Sequence, residues 1–260
     1  MPEPPRYTFG ETPLAARRLA LLAEVLDAPS RAVPRLPTGR GAAAPSSGPR
    51  PRLWPGPLDG TRRRDHGRTV GLDASAAFVD AARRSFANLE FTVHDVTVTP
   101  FPVAEPNLVF ARLVLAHLPD PACRARTWGQ QLAPGGRLLL DELDALDAPD
   151  PVFRRYEELV GGVVADRGGP MHAGPLLTDL TDGPDFTLWS STALTLPVPV
   201  RVTARLYAMN LQVWRHDPFA RTHFAAAELD ALARSLADLT RDGQGRVDWR
   251  LRHVVVERRG

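Results

Sequence analysis

The chain has 260 residues, is 43% hydrophobic and carries a formal charge of +2, so it can bury the core of one large domain. All 32 Lys+Arg residues are arginine, and a chain with 26 prolines and no lysine or isoleucine follows GC-rich codons; Arg62-Arg63-Arg64 and Arg258-Arg259 are short runs without interleaved aromatics, which argues against a nucleic-acid surface. The single cysteine, Cys123, excludes an intrachain disulfide and a cysteine-rich metal site.

No metal is expected. No apolar run reaches the roughly twenty residues that span a bilayer, and Met-Pro-Glu-Pro-Pro lacks a signal-peptide pattern. A cytoplasmic protein without a membrane partner is the expectation.

In chain order, Thr12-Pro13 opens a helix with a capping hydroxyl and a proline at the first helical position. Leu14, Leu21, Leu22, Val25 and Leu26 continue it over 13–27, ending before Pro29. Residues 34–66 alternate Pro with Gly, Arg, Ala and Ser and read as an irregular segment. From Thr69 the pattern becomes regular: a strand (69–73), a helix (75–87), a strand (90–94), a strand (107–110), a helix carrying Trp128 and Leu132, and a strand after Pro134-Gly135-Gly136. A helix near 151–166, a strand from Phe186 to Leu196, helices near 200–214 and 225–240, and a last strand, Trp249 to Glu257, complete the chain. Cys123, at a predicted helix start, reads as a half-buried small residue.

Alternating strands and helices predict an α/β protein with a parallel sheet covered on both faces. Thr69-Val70-Gly71-Leu72-Asp73 and Phe91-Thr92-Val93-His94-Asp95 are both strands closed by an aspartate. On one edge of a parallel sheet, two such carboxylates suit a nucleoside, one on the ribose hydroxyls and one on the adenine amino group.

Together, Val70-Gly71-Leu72-Asp73-Ala74-Ser75, His94-Asp95-Val96, the run Asn107 to Leu118 and Leu132-Ala133-Pro134-Gly135-Gly136 resemble the class I S-adenosylmethionine-dependent methyltransferases over about 67–145. The resemblance implies a Rossmann-like, mostly parallel seven-stranded sheet with helices on both faces. It implies S-adenosylmethionine as cofactor and methyl transfer to a small-molecule acceptor. By position, Asp73 with Ala74 resembles the ribose-binding site and Asp95 with Val96 the adenine-binding pair. Ala111 and Arg112, just past the fourth strand, resemble the backbone beside the methionyl group.

His117 is the candidate catalytic residue, with Glu142 and His172 as further candidate bases; Asp141 and Glu142 otherwise read as solvated turn acids. His172 and Asn210 are candidates for acceptor contact, and Tyr207, Met209, Asn210 and Trp214 for a lid. The division expected is an N-terminal helical segment (1–33), an irregular segment (34–66), a methyltransferase core (67–200), a helical lid (201–245) and a closing strand (246–260). A nicotinamide dehydrogenase would want Gly-x-Gly-x-x-Gly. A nucleic-acid methylating enzyme would want an Asn-Pro-Pro-Tyr-type motif after the fourth strand, and neither motif is present.

One departure stands out. The family's first strand ends in Asp-x-Gly-x-Gly-x-Gly, whose glycines let the backbone lie against the cofactor. At 48–57 this chain reads Gly-Pro-Arg-Pro-Arg-Leu-Trp-Pro-Gly-Pro, a poor central strand because proline donates nothing to a ladder. The first strand is therefore expected to be degraded or replaced by irregular chain, and an inactive, methyltransferase-like binding protein becomes the alternative. Codons compatible with that stretch read Val-Leu-Asp-Leu-Gly-Cys-Gly-Pro-Gly in the +1 frame: Trp as TGG followed by the C of a proline codon forces a glycine codon. Residues from about 38 to 65 are thus expected to be out of frame.

Overall fold

The computed structural model describes residues 12–32, 48–49, 69–178, 180 and 184–260. Most of the proline-rich 34–66 segment, and the glycine-turn position within it, lie outside these residues.

Helix α1 (Pro13–Ala32) starts as its sequence dictates: Thr12 Oγ1 accepts from Ala15 N at 3.3 Å and Thr12 O from Ala16 N at 3.1 Å. It runs beyond the expected stop at Pro29. A proline this close to the end forfeits one bond to the preceding turn, without breaking the turns before it. Strand β1 is the pair Gly48–Pro49, and β2 (Val70–Asp73) leads through the N-cap Ser75 into α2 (Ala76–Ser85). Then come β3 (Glu90–Val93), β4 (Leu108–Arg112), α3 (Pro121–Gly129) and β5 (Arg137–Asp147). Helix α4 (Pro151–Asp166), β6 (Phe186–Pro199), α5 (Val200–Trp214), α6 (Pro218–His223), α7 (Ala226–Asp242) and β7 (Arg246–Arg258) follow. The six-residue α6 and the 3₁₀ turns Leu115–His117 and Gly174–Leu177 are too short for a periodicity to announce them.

Among the described residues the strands form two hydrogen-bonded sheets where one was expected. Their orders are β1-β2-β3 and β4-β5-β7-β6. Pairings β1/β2, β2/β3 and β4/β5 are parallel, while β7 runs antiparallel to both β5 and β6. Among the described residues, strand β1 lies beside β4 without a ladder between them.

One apolar core backs both sheets: Val70 and Leu72 from the first join Val109, Ala111, Leu138 and Leu140 from the second, under Trp128 and Leu132. A second core fills the opposite face of the larger sheet with Phe153, Tyr156, Leu211, Trp214, Trp249 and Leu251, drawn from α4, α5 and β7. Each large side chain so buried contributes about 1.5–3 kcal/mol. Ala15 and Leu19 of α1 meet Phe78 of α2, while Leu26 sits in the second core, so α1 joins the two halves.

The turn before β5 shows why Pro134-Gly135-Gly136 is needed. Gly135 has φ +74°, a left-handed conformation that favours glycine. Its N–H reaches Arg258 O at 2.9 Å, and Gly136 N reaches Ala133 O at 2.8 Å. Two expectations are corrected here. Asp141 and Glu142 are buried inside β5, not solvated turn acids, because that strand continues to Asp147. Cys123 is exposed, since it falls on the outward side of the first turn of α3.

Candidate cofactor and acceptor site

Strands β2 and β3 run in register, Asp73 opposite Val93, and His94 N continues the ladder to Asp73 O at 2.9 Å. Asp73 and Asp95 therefore leave the same carboxyl-terminal rim of one sheet. Asp73 Oδ1 accepts from Ser75 N at 2.7 Å, which fixes the turn through Ala74 into α2. Asp95 Oδ1 accepts from Thr97 N at 2.9 Å and Thr97 Oγ1 at 2.8 Å. Helix α3 holds this second turn from below: Trp128 Nε1 donates to Val96 O at 2.9 Å and Arg124 Nη1 to Thr97 O at 3.1 Å.

Ala111 and Arg112 are the last residues of β4, not the first beyond it, because their pairing with Leu140 and Asp141 of β5 extends the strand. The Arg112 side chain is buried and its Nη1 donates to Leu26 O of α1 at 3.3 Å. The chain then turns through Leu113 at φ +51°, an uncommon conformation for a bulky residue and one that collects at functional sites. The adjacent strand β5 holds that turn in place. Leu113 N donates to Asp141 O at 2.9 Å, and Glu142 Oε1 accepts from both Val114 N and Leu115 N at 2.9 Å.

Glu142 is fully buried, and its Oε2 has no hydrogen-bond partner among the described residues. Burial pushes its pKa up to about 8, against the opposing pull of the Leu115 and Val114 N–H groups. On the other face of the sheet, Asp141 pairs with His253 Nδ1.

His117 ends the 3₁₀ turn, half-buried, with Nδ1 inside the protein. The chain between α4 and β6 crosses above it. A Cβ on Gly169 would lie 2.5 Å from Ala116 O, and one on Gly174 would lie 2.1 Å from Asp144 Oδ1. The segment 169–174 is thus a strap resting on the 3₁₀ turn after β4 and on Asp144 within β5. Within it, His172 Nε2 lies 3.3 Å from Glu157 Oε1 of α4, close enough to attract but off the hydrogen-bond direction. Tyr207 Oη of α5 donates to the same oxygen at 2.8 Å.

Tyr207 stacks on Tyr156 with centroids 3.8 Å apart, and Trp214 Nε1 donates to Tyr156 Oη at 3.3 Å. Asn210 is buried on α5, and Met209 is half-buried beside it. Tyr207, Asn210 and Trp214 thus belong largely to the helical core. Glu157 was not singled out by the sequence: it is one of several polar residues on α4, and no spacing marks it.

Parallel strands with acids at one rim, and helices on both faces, make this a Rossmann-like α/β fold. Residues 58–140 match the family described as Methyltransferase domain. Two proteins named Trans-aconitate 2-methyltransferase are similar to the chain. One, from Methylobacterium radiotolerans, is 36% identical over 107 residues, 41% of each chain. The other, from Azoarcus sp., is 31% identical over 109 residues, 42% of each. The matches thus span about two fifths of the length of these curated relatives.

Among solved structures, a mycolic acid cyclopropane synthase, CmaA1, crystallised with SAH and CTAB, superposes with a TM-score of 0.51. It covers 91% of this chain and 83% of its own at 12% identity, a likeness of fold. Among the described residues, no helix is long and apolar enough to cross a membrane.

Proposed function

We propose that the chain transfers the methyl group of S-adenosylmethionine to a small-molecule acceptor. The observation that carries this reading is the placement of Asp73 and Asp95 at the ends of neighbouring parallel strands, on one rim. The donor set fits adenosine: Asp73 and the Ala74 turn face the ribose hydroxyls. Asp95 spends Oδ1 on Thr97 and keeps Oδ2 for the adenine amino group, with Val96 alongside. Ala111, Arg112 and the held turn at Leu113 flank the methionyl end.

The cofactor supplies an electrophilic methyl on a positively charged sulfur, so the protein has chiefly to align the acceptor and exclude water. Helices α5 to α7, residues 201–245, supply the lid over the acceptor. The relatives' name and the SAH in the structural neighbour support this cofactor and acceptor class. In this reading β1 joins the two sheets at the centre of one seven-stranded sheet, ordered β3-β2-β1-β4-β5-β7-β6. The protein works in the cytoplasm.

The first strand qualifies what this particular chain can do. Among the described residues, Gly48–Pro49 pairs with β2 on the side away from β3, and the family match begins at residue 58, directly after Pro57. We read that stretch as out-of-frame translation of the glycine turn. No relative supports a settled loss of function in the family as a whole.

The chain as written is expected to bind S-adenosylmethionine weakly or not at all. Restoring the +1 reading over 38–65 is expected to return binding in the micromolar range, about −8 kcal/mol. Calorimetric titration of both versions tests this. Micromolar affinity in the chain as written would refute the need for the turn, and silence in both would refute the methyltransferase reading.

A further inference from the structure

Glu157 of α4, Tyr207 of α5 and His172 of the strap meet apart from the residues assigned to the cofactor. Their arrangement has the form of an oriented base. Tyr207 is locked between Tyr156, stacked at 3.8 Å, and Phe153, edge-on at 5.8 Å, so its hydroxyl is aimed rather than free to rotate away. Burial, and then the charge of Glu157, drive the Tyr207 pKa well up, so the hydroxyl remains a donor. It fixes the one carboxylate oxygen that also faces His172 Nε2.

The His172 and Glu157 side chains remain 22% and 21% exposed, whereas Tyr207 is buried. Glu157 also lines an open recess of about 370 Å³ with Phe153, Arg154 and the Leu146–Pro149 stretch after β5. Gly169 seats the histidine's strap on the 3₁₀ turn after β4, beyond the Leu113 turn that flanks the methionyl end in this reading, and Gly174 seats it on Asp144 within β5.

We propose that His172, with the Glu157 carboxylate 3.3 Å from Nε2 and Tyr207 holding Glu157, takes the proton of an acceptor that carries a hydroxyl or an amine. This rests on the methyl-transfer reading and narrows it, because a carboxylate acceptor has no proton to give. With Nε2 turned toward Glu157, the acceptor's X–H proton passes to Nδ1. X forms a bond to the methyl carbon, the sulfur–methyl electron pair returns to sulfur, and the imidazolium beside the Glu157 carboxylate later releases its proton to water. A pair that merely braces the strap would keep the ring engaged and unreactive.

The test uses the full chain without cofactor: diethyl pyrocarbonate acylates neutral imidazole, and peptide mass spectrometry follows each histidine separately at a pH high enough to neutralise all of them. His172 is expected to react about threefold faster than His94, His216 and His223, and Glu157→Gln and Tyr207→Phe are expected to bring it down to their rate, because the held carboxylate no longer stabilises the positive charge that develops on the ring as it attacks. A His172 rate at or below theirs in the native chain, or one unchanged by Glu157→Gln, would overturn the proposal. Calorimetry with S-adenosylmethionine reports on the underlying reading separately.

Discussion

Glu142 is a carboxyl that water does not reach, and this ties the protein's stability to pH. The unfolded chain gives up that proton near pH 4.5 and the native chain near pH 8. Below about 4.5 both states hold it; as the pH rises toward 8, unfolding releases a proton and the native state loses ground, levelling off above 8. Each unit of displacement is worth about 1.4 kcal/mol, so the loss across the window is on the order of several kcal/mol.

Glu142→Gln keeps an oxygen for Val114 and Leu115 and removes the titration. It is expected to match the parent near pH 4.5 and to exceed it by a few kcal/mol at pH 8, as read by urea unfolding at both pH values. A difference between the two that does not change with pH would contradict this. None of it was legible in the sequence. Asp141-Glu142 read as a solvated turn because the apolar run Leu138-Leu139-Leu140 ends there, while the strand goes on by pairing with β7. Tertiary pairing carried two acids into the interior. Asp73 and Asp95, by contrast, could be placed, because a strand that ends in an acid keeps that acid at the rim whatever packs behind it.

At the scale of elements, the strap between α4 and β6 carries the clearest consequence. Gly169 lies on backbone: an added Cβ would sit 2.5 Å from Ala116 O and 2.9 Å from Val164 Cγ1. Gly169→Ala must lift the strap from the 3₁₀ turn after β4, and is expected to cost roughly 1–3 kcal/mol in urea unfolding. It should also raise hydrogen exchange in 169–174 ahead of the rest of the chain. An unchanged midpoint would mean that the strap does not rest on the 3₁₀ turn.

Helices were read well where a cap and a periodic apolar face coincide, as at Ser75 for α2 and Asp150 for α4, whose side chains accept from Phe78 N and Val152 N. The strap escaped notice because neither Gly168-Gly169-Pro170 nor Gly174-Pro175 states what it lies on. Strands β6 and β7 proved longer than their apolar cores, since antiparallel pairing over Phe186–Pro199 carries polar residues along.

For the whole molecule, the α/β class followed from sequence while the strand order and the union of the sheets did not. The alternation from Thr69 onward announces strands and crossover helices, but nothing in it says that β7 inserts antiparallel between β5 and β6. Where the two sheets would join, the described residues are Gly48–Pro49 alone, and a proline-rich sequence does not announce the ladder that the family's own residues would make. If a frame slip accounts for this, the coding DNA for 48–57 yields a Gly-x-Gly string in the shifted frame; codons that do not would end the idea.

The central claim, however, is that Asp73 and Asp95 grip the two ends of adenosine. Titration calorimetry of S-adenosylhomocysteine into the frame-restored chain, with Asp73→Asn and Asp95→Asn beside it, tests that claim most directly. Each substitution removes a hydrogen bond to a charged group worth about 1.5–3 kcal/mol. Each is therefore expected to weaken binding about ten- to a hundredfold while leaving the unfolding midpoint nearly unmoved. Affinity unchanged in either variant would contradict the account.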